Sequence, residues 1–244
     1  MTASTSRRAV LAATLFAPAI ARAQGDYPAR PITIISAGAA GGPTDTITRI
    51  VADALGRQLP QPVVVEATGG SLVAPQKLVN SRPDGYTLMN QNVGLTAAAT
   101  LYRRLPFAMP GAFAPLGLVS DAAMTVVSRP NFPARDMAEL MATLKREGET
   151  LNLATAGLSS AANLCGLLLQ QAAGARATTV VFRGTGPAIS EVLADRIDLL
   201  CDQATNTVPH IRQGRIKVFA VSAPLRLPGL PDVPTTAETG FPSI

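Results

Sequence analysis

Apolar and polar positions along this chain fall into two alternating periods. "RPITIISA" (residues 30–37) is a short apolar, β-rich run that predicts a strand. From Thr44 onward, Ile47, Ile50, Val51, Ala54 and Leu55 recur at i, i+3, i+4, i+7 and i+8, which predicts a helix with one apolar stripe. "QPVVVEA" then predicts a second strand, so residues 31–66 read as a βαβ unit. A glycine loop, Gly69-Gly70-Ser71, leads to a helix through Val73, Leu78 and Val79, and the Pro-Asp-Gly turn of "RPDGYTLMNQ" enters a third strand.

Between Met109 and Phe132, prolines and glycines enclose two apolar runs, "APLGLVS" and "MTVVS", and a crossing between lobes is expected there. A helix follows at 136–147 with Met137, Leu140, Met141 and Leu144 on one face. The first half's order then repeats. "LNLATAGLSSAANLCGLLLQQAAG" reads as strand, Gly/Ser loop and helix, and "TTVVFRGTGPAISEVLADR" as strand, Gly-Thr-Gly loop and a helix with proline near its start. "IDLLCDQ" and "RIKVFAVSA" are further strands, and the proline-rich tail is extended. The expected class is α/β with two lobes, each a sheet flanked by helices: 24–118, 119–222, and a segment 223–244 returning towards the first lobe.

At 244 residues and 47% hydrophobic content the chain can build real cores. Aromatics make up only 4% and tryptophan is absent, which argues against a single-stranded nucleic-acid binder built on stacking. The net charge of +5 suggests a polyanion partner until the N-terminus is read. Two arginines, an apolar run from Ala9 to Ile20 and Ala21-Arg22-Ala23 have the order of a secretory signal cleaved near Ala23, and Ser6-Arg7-Arg8-Ala9-Val10-Leu11 resembles its twin-arginine type. Residues 1–23 carry three arginines and no acid, so their removal lowers the charge to +2 and nucleic acid loses its case. Periplasmic localisation is the expectation. Cys165 and Cys201 sit in apolar surroundings ("NLCGLLL", "DLLCDQ") and read as buried free thiols rather than a disulfide. Two cysteines and one histidine without ligand spacing give no zinc site, and no metal or other cofactor is expected.

The glycine loops pose the chemical question. "SAGAAGGPTDTITRI" lacks the lysine of a Walker loop and the G-x-G-x-x-G spacing of a dinucleotide site, and Asp45 would repel a phosphate chain. A helix N-terminus nevertheless offers unpaired N–H groups and partial positive charge to a small anion, and glycine lets the backbone approach it closely. Three such starts occur, at 41–45, 157–162 and 184–187, one in the first lobe and two in the second. Facing each other, they would clamp an anion, most naturally a carboxylate. Helix capping alone is the simpler reading of any single loop.

These residues resemble the Bug/TctC family, the extracytoplasmic solute receptors of tripartite tricarboxylate transport systems. "YPARPITIISAGAAGGPTD" is similar to its opening segment, and Gln61–Glu66, "PDGYTL" and "LYRRLPF" to later ones. "GTGPAISEVLADRIDLLCDQ" and "RLPGLPDVPTTAETG" match its most characteristic stretches, so the similarity runs from Tyr27 to Pro242. The resemblance implies a type II-like periplasmic-binding-protein fold closing on a small organic acid, with membrane permease subunits as partners and a monomeric receptor. Carried onto this chain, the first gripping loop is Ala39, Ala40, Gly41, Gly42, Thr44 and Asp45, and the second is Thr155, Gly157, Ser159 and Ser160. Thr185 and Asp202 are further candidates for the cleft wall, and Asp45 is expected to orient water or a ligand amine or amide.

Three departures from the family matter. Ser36-Ala37-Gly38-Ala39-Ala40 stands where an aromatic and prolines are usual, which implies a smaller, more flexible loop and a wider pocket. Asn163 replaces a common histidine. Family members continue past "PTTAETG" with helices returning to the first lobe, so a chain whose last residue is Ile244 is expected either to be a fragment or to have an incomplete first lobe that exposes an apolar face. The enzyme alternative is a serine hydrolase using Ser159, Asp202 and His210, from the near-elbow Gly157-Leu158-Ser159-Ser160-Ala161. Its last elbow position is alanine, and the short Asp202–His210 interval leaves no room for the expected elements, so His210 is read as a surface residue at a helix start. A non-transport ligand sensor or a degenerate fragment is the third class.

Overall fold

The computed structural model describes residues 27–69 and 72–244, and the expected signal segment lies outside them. The first lobe holds β1 (Ile32–Ser36), α1 (Pro43–Gly56), β2 (Val63–Ala67), α2 (Val73–Val79), β3 (Thr87–Asn90) and α3 (Gly94–Leu101). Its sheet runs β2-β1-β3, all parallel, as the βαβ reading requires. The second lobe holds β4 (Met124–Ser128), α4 (Met137–Glu147), β5 (Asn152–Thr155), α5 (Ala161–Ala173), β6 (Thr178–Val181), α6 (Thr185–Leu193), β7 (Leu199–Gln203), α7 (Ala204–Arg212) and β8 (Lys217–Ser222). Its sheet order is β6-β5-β7-β4-β8, with β4 antiparallel to both neighbours.

Strand alternation builds the second lobe's core on both sheet faces. Val126, Leu153, Leu199 and Cys201 join one apolar cluster with α4 and α5, through Met137, Leu140, Leu144 and Leu169. The neighbouring residues Val127, Ala154 and Leu200 join the other, with Ala188, Ile189 and Val192 of α6. Local signals end the helices. Asp136 caps α4 by accepting from the Glu139 N–H at 2.9 Å, and Gly174 stops α5 at φ +61°.

The structure departs from the pattern in four places. The stripe assigned to α1 is not its buried face: Thr44, Asp45, Thr48 and Ala52 are buried, whereas Ile50 is 64% exposed. Small side chains let the helix lie close to the sheet, where Thr48 Oγ1 donates to the Thr44 carbonyl and accepts from Asn90 Nδ2. Second, α3 and α7 form from segments with no clear apolar period. α7 follows β7 directly and contains Pro209, so His210 lies in its last turn rather than at a helix start. Third, "APLGLVS" is outside regular structure, and its Leu116 and Leu118 are each 82% exposed. Ile50 and Val64 of the first lobe are also exposed, at 64% and 50%. Fourth, residues 223–244 dock on the second lobe. Val221 N–H donates to the Pro234 carbonyl, Thr236 N–H to the Val221 carbonyl, and Ile244 is buried in the α4/α5-side core. The tail's backbone polar groups are satisfied by extending the edge of β8, and that edge belongs to the second lobe.

Candidate functional site

The parallel strands of both lobes end on one cleft of about 650 Å³. After β1 come Ala37, Gly38 and Ala39, after β2 Thr68 and Gly69, and after β3 Gln91 and Asn92. From the other side come Ala156 to Ser160 after β5, Phe182 to Thr185 after β6, and Asp202 and Gln203 at the end of β7. In α/β sheets the carboxyl ends of strands are where ligands bind, because there the chain turns into helix N-termini with free N–H groups. The lobes touch across this cleft. A methyl group on Gly94 would lie 2.6 Å from the Ser159 carbonyl oxygen, and one on Gly184 would lie 2.9 Å from Ala39 Cβ.

All three predicted helix starts reach the cleft. α1 begins after Gly42 with Pro43 at its first turn, α5 after Ser160, and α6 after Gly184. The proline has no N–H, so at α1 the free donors start with Thr44. Of the predicted residues, Ala39, Gly42 and Thr44 line the cleft from the first lobe. Gly157, Ser159, Ser160, Thr185 and Asp202 line it from the second. Ala40, Gly41, Asp45 and Thr155 do not. Gly41, at φ +75°, donates its N–H to Asp45 Oδ2 at 2.9 Å, and Arg49 Nε donates to the same oxygen at 2.9 Å. Asp45 Oδ1 is buried without a partner, while Asp45 Oδ2 thus braces its own loop. Thr155 Oγ1 donates to the Gly157 carbonyl at 3.2 Å and does the same for the second loop.

The two adjacent serines differ in what they have left to give. Ser160 Oγ donates to the Gly157 carbonyl at 2.7 Å and accepts from the Asn163 N–H at 3.1 Å, so it is committed to shaping the loop and capping α5. Ser159 Oγ is buried without a partner. Buried polar atoms are nearly always paired, so an orphan on a cleft wall indicates a group supplied from outside the chain.

Gln91, Asn92, Tyr102, Arg183 and Gln203 also line the cleft and were not anticipated. Gln91 Nε2 and Gln203 Oε1 are orphans like Ser159 Oγ. Arg183 is an exposed cation on this wall. Their shared signal is position, immediately at or after a strand's carboxyl end. Asp202 is 2% exposed; its Oδ1 accepts from the Gln203 N–H at 2.8 Å and its Oδ2 from Asn206 Nδ2 at 2.5 Å. Burial outweighs these two hydrogen bonds and pushes its pKa up to about 7.

The hydrolase residues form no relay among the described residues. Asp202 is engaged by Gln203 and Asn206, Ser159 Oγ is unpartnered, and His210 Nδ1 is buried without a partner in the last turn of α7. Burial, and then Arg215, hold the His210 pKa below its ordinary value. Among the described residues no group of three His, Cys, Asp or Glu could hold a metal ion, and no helix is long and apolar enough to cross a membrane. Cys165 and Cys201 are buried free thiols.

Residues 47–244 match the family model described as the tripartite tricarboxylate transporter family receptor. A relative from the TAR-I ttuE-ttuC' intergenic region of Agrobacterium vitis is 40% identical over 96% of this chain and 68% of its own length. The structure of the periplasmic binding protein BugD is similar at 37% identity and TM-score 0.84, covering 88% of this chain and 73% of that one. MatC from Rhodopseudomonas palustris, solved with bound malate, is similar at 33% identity and TM-score 0.84, covering 89% of this chain and 75% of that one. The chain belongs to the tripartite tricarboxylate transporter receptor family, whose members are periplasmic solute-binding proteins of two-lobed α/β fold.

Proposed function

We propose that this family receptor captures a small carboxylate between its lobes, outside the cytoplasm, and presents it to the membrane permease of a tripartite tricarboxylate transport system. The observation that carries the reading is the convergence of three helix starts from two lobes on one cleft whose wall also holds the orphan Ser159 Oγ. The helix starts supply N–H donors to an anion, Ser159 supplies a hydroxyl, and Arg183 adds a cation on the same wall. MatC, the similar protein solved with bound malate, supports the ligand class. Lobe closure brings the Ser159 backbone against Gly94 and excludes water from the bound anion.

On this reading the chain is a monomeric binding protein without catalysis or cofactor, divided at 24–118 and 119–222. The test is a thermal-shift screen against mono-, di- and tricarboxylates. A ligand at one hundred times its Kd stabilises the folded state by about 2.7 kcal/mol, which raises the melting temperature of a chain this size by about 5–10 °C. A flat response across the panel refutes the proposal, and covalent labelling of Ser159 by an active-site serine probe would replace it with the hydrolase reading.

A further inference from the structure

The wall at the end of β7 has a polarity opposite to the helix starts. Asp202 and Gln203 are 2% and 7% exposed and both line the cleft. Each Asp202 oxygen already accepts one hydrogen bond and keeps a second lone pair free, and Gln203 Oε1 accepts none. The groups packed around Asp202 do not neutralise it. Thr125 of β4, Asn206 and Thr207 of α7 are uncharged, and Cys201 beside it and Cys165 of α5 are thiols. Arg183 lies on the same cleft wall, and no ion pair between it and Asp202 forms among the described residues.

A buried carboxylate without a cation is costly, and a second carboxylate brought to it costs more. A ligand that donates a proton-bearing group to this wall removes the conflict. The donors of the helix starts and the acceptors of β7 thus ask different things of one small molecule: an acid group at one end and a hydrogen-bond donor at the other.

We infer that Asp202 and Gln203 are specificity-determining residues that accept a hydroxyl or ammonium group of the bound carboxylate, selecting hydroxy or amino acids over the plain acid of equal length. The inference rests on the carboxylate reading above. It extends that reading from an anion cradle to a cleft that discriminates among anions of the same size and charge.

Calorimetric titration of the full chain with two matched sets tests it: succinate, malate and aspartate, then glutarate, 2-hydroxyglutarate and glutamate. At pH 8, at least one donor-bearing member of a set is expected to bind about tenfold or more tightly than its plain acid, as a hydrogen bond to a charged group allows. Asp202→Asn keeps the shape and is expected to reduce that advantage to about threefold or less, with plain-acid affinity improved because the like charge is gone. A second arm needs no variant. Plain-acid affinity falls as pH rises from 6 to 8, because Asp202 must stay protonated beside it, whereas amino-acid affinity rises and levels off. Plain acids matching their partners in the wild type, or a preference that survives Asp202→Asn, overturns the inference and leaves the carboxylate reading standing. Silence from all six probes overturns the inference, and the carboxylate reading falls with it only if the thermal-shift screen of mono-, di- and tricarboxylates is flat as well.

Discussion

Gly94→Ala separates the stability of the lobes from their closure. Gly94 opens α3 in the first lobe, and its added methyl would meet the Ser159 carbonyl oxygen of the second at 2.6 Å. Ordinary contact starts near 3.4 Å, so the two lobes would have to part by about 0.8 Å at this point. The opposing atom is backbone in the β5–α5 loop, which cannot rotate aside as a side chain would. Overpacking of this size costs about 1–3 kcal/mol, which, charged to the closed state alone, weakens ligand binding about 5- to 150-fold. Without ligand the methyl still meets Asn92 Oδ1 of the same lobe at 2.9 Å, the side-chain oxygen that accepts the Gly94 N–H, so that side chain must shift and its hydrogen bond weakens. The variant is therefore expected to melt slightly below the wild type without ligand, and to bind malate, or the strongest acid from the screen, much more weakly by calorimetry. Unchanged affinity would refute closure through this contact. A loss of unliganded stability as large as the loss of binding energy would show instead that the glycine serves the fold.

Three further expectations concern single side chains. Ser160→Ala removes the α5 cap and the hydroxyl held by Gly157, so the unliganded melting temperature should fall by an amount matching about 0.5–2 kcal/mol and ligand binding should weaken with it, both readable in one thermal-shift series. Asp202, with a folded pKa of about 7 against 3.8 in the ordinary state, opposes folding increasingly as pH rises from about 4 to 7, by on the order of 4 kcal/mol above that window. Chemical denaturation at pH 5 and pH 8 should show the part of that loss lying between them, about 2.7 kcal/mol, in the wild type and a much smaller one in Asp202→Asn; equal pH dependence in both would place the titrating group elsewhere. Cys165 and Cys201 are buried, and Cys165's hydrogen bond and then burial raise the Cys201 pKa, so neither thiol should react with a maleimide until the chain is unfolded. Rapid modification of the native protein would contradict this packing.

What the sequence showed and what it hid divide along one physical line. Strands and amphipathic helices announce themselves through burial, since apolar residues at period 2 or 3.6 must face a core. The β5 and β7 strands and the apolar face of α4 follow from that rule, whereas "MTVVS", read only as an apolar run in the crossing, forms β4. α3 escaped because "GLTAAATL" offers small and apolar side chains all round, and α7 because Pro209 reads as a break although the helix continues to Arg212. The α1 stripe misled for the converse reason, since periodicity marks an apolar face without saying that anything covers it, and Ile50 lies on that uncovered side.

The site followed a different rule. Glycine loops drew attention to the helix starts, but glycines mark where backbone must bend, and they carry no information about side chains arriving from other strands. Gln91, Asn92, Arg183 and Gln203 have no motif of their own; each is set by lying at or just past the carboxyl end of β3, β6 or β7. Applying that topological rule to the predicted strands would have placed all four in the cleft before any coordinates existed. Asp45 follows Pro43 and Thr44, the residues of α1 that line the cleft, and is not itself part of that lining. Glycine spacing locates an anion's cradle, whereas strand ends locate the groups that choose among anions, and Asp202 and Gln203 belong to the second kind.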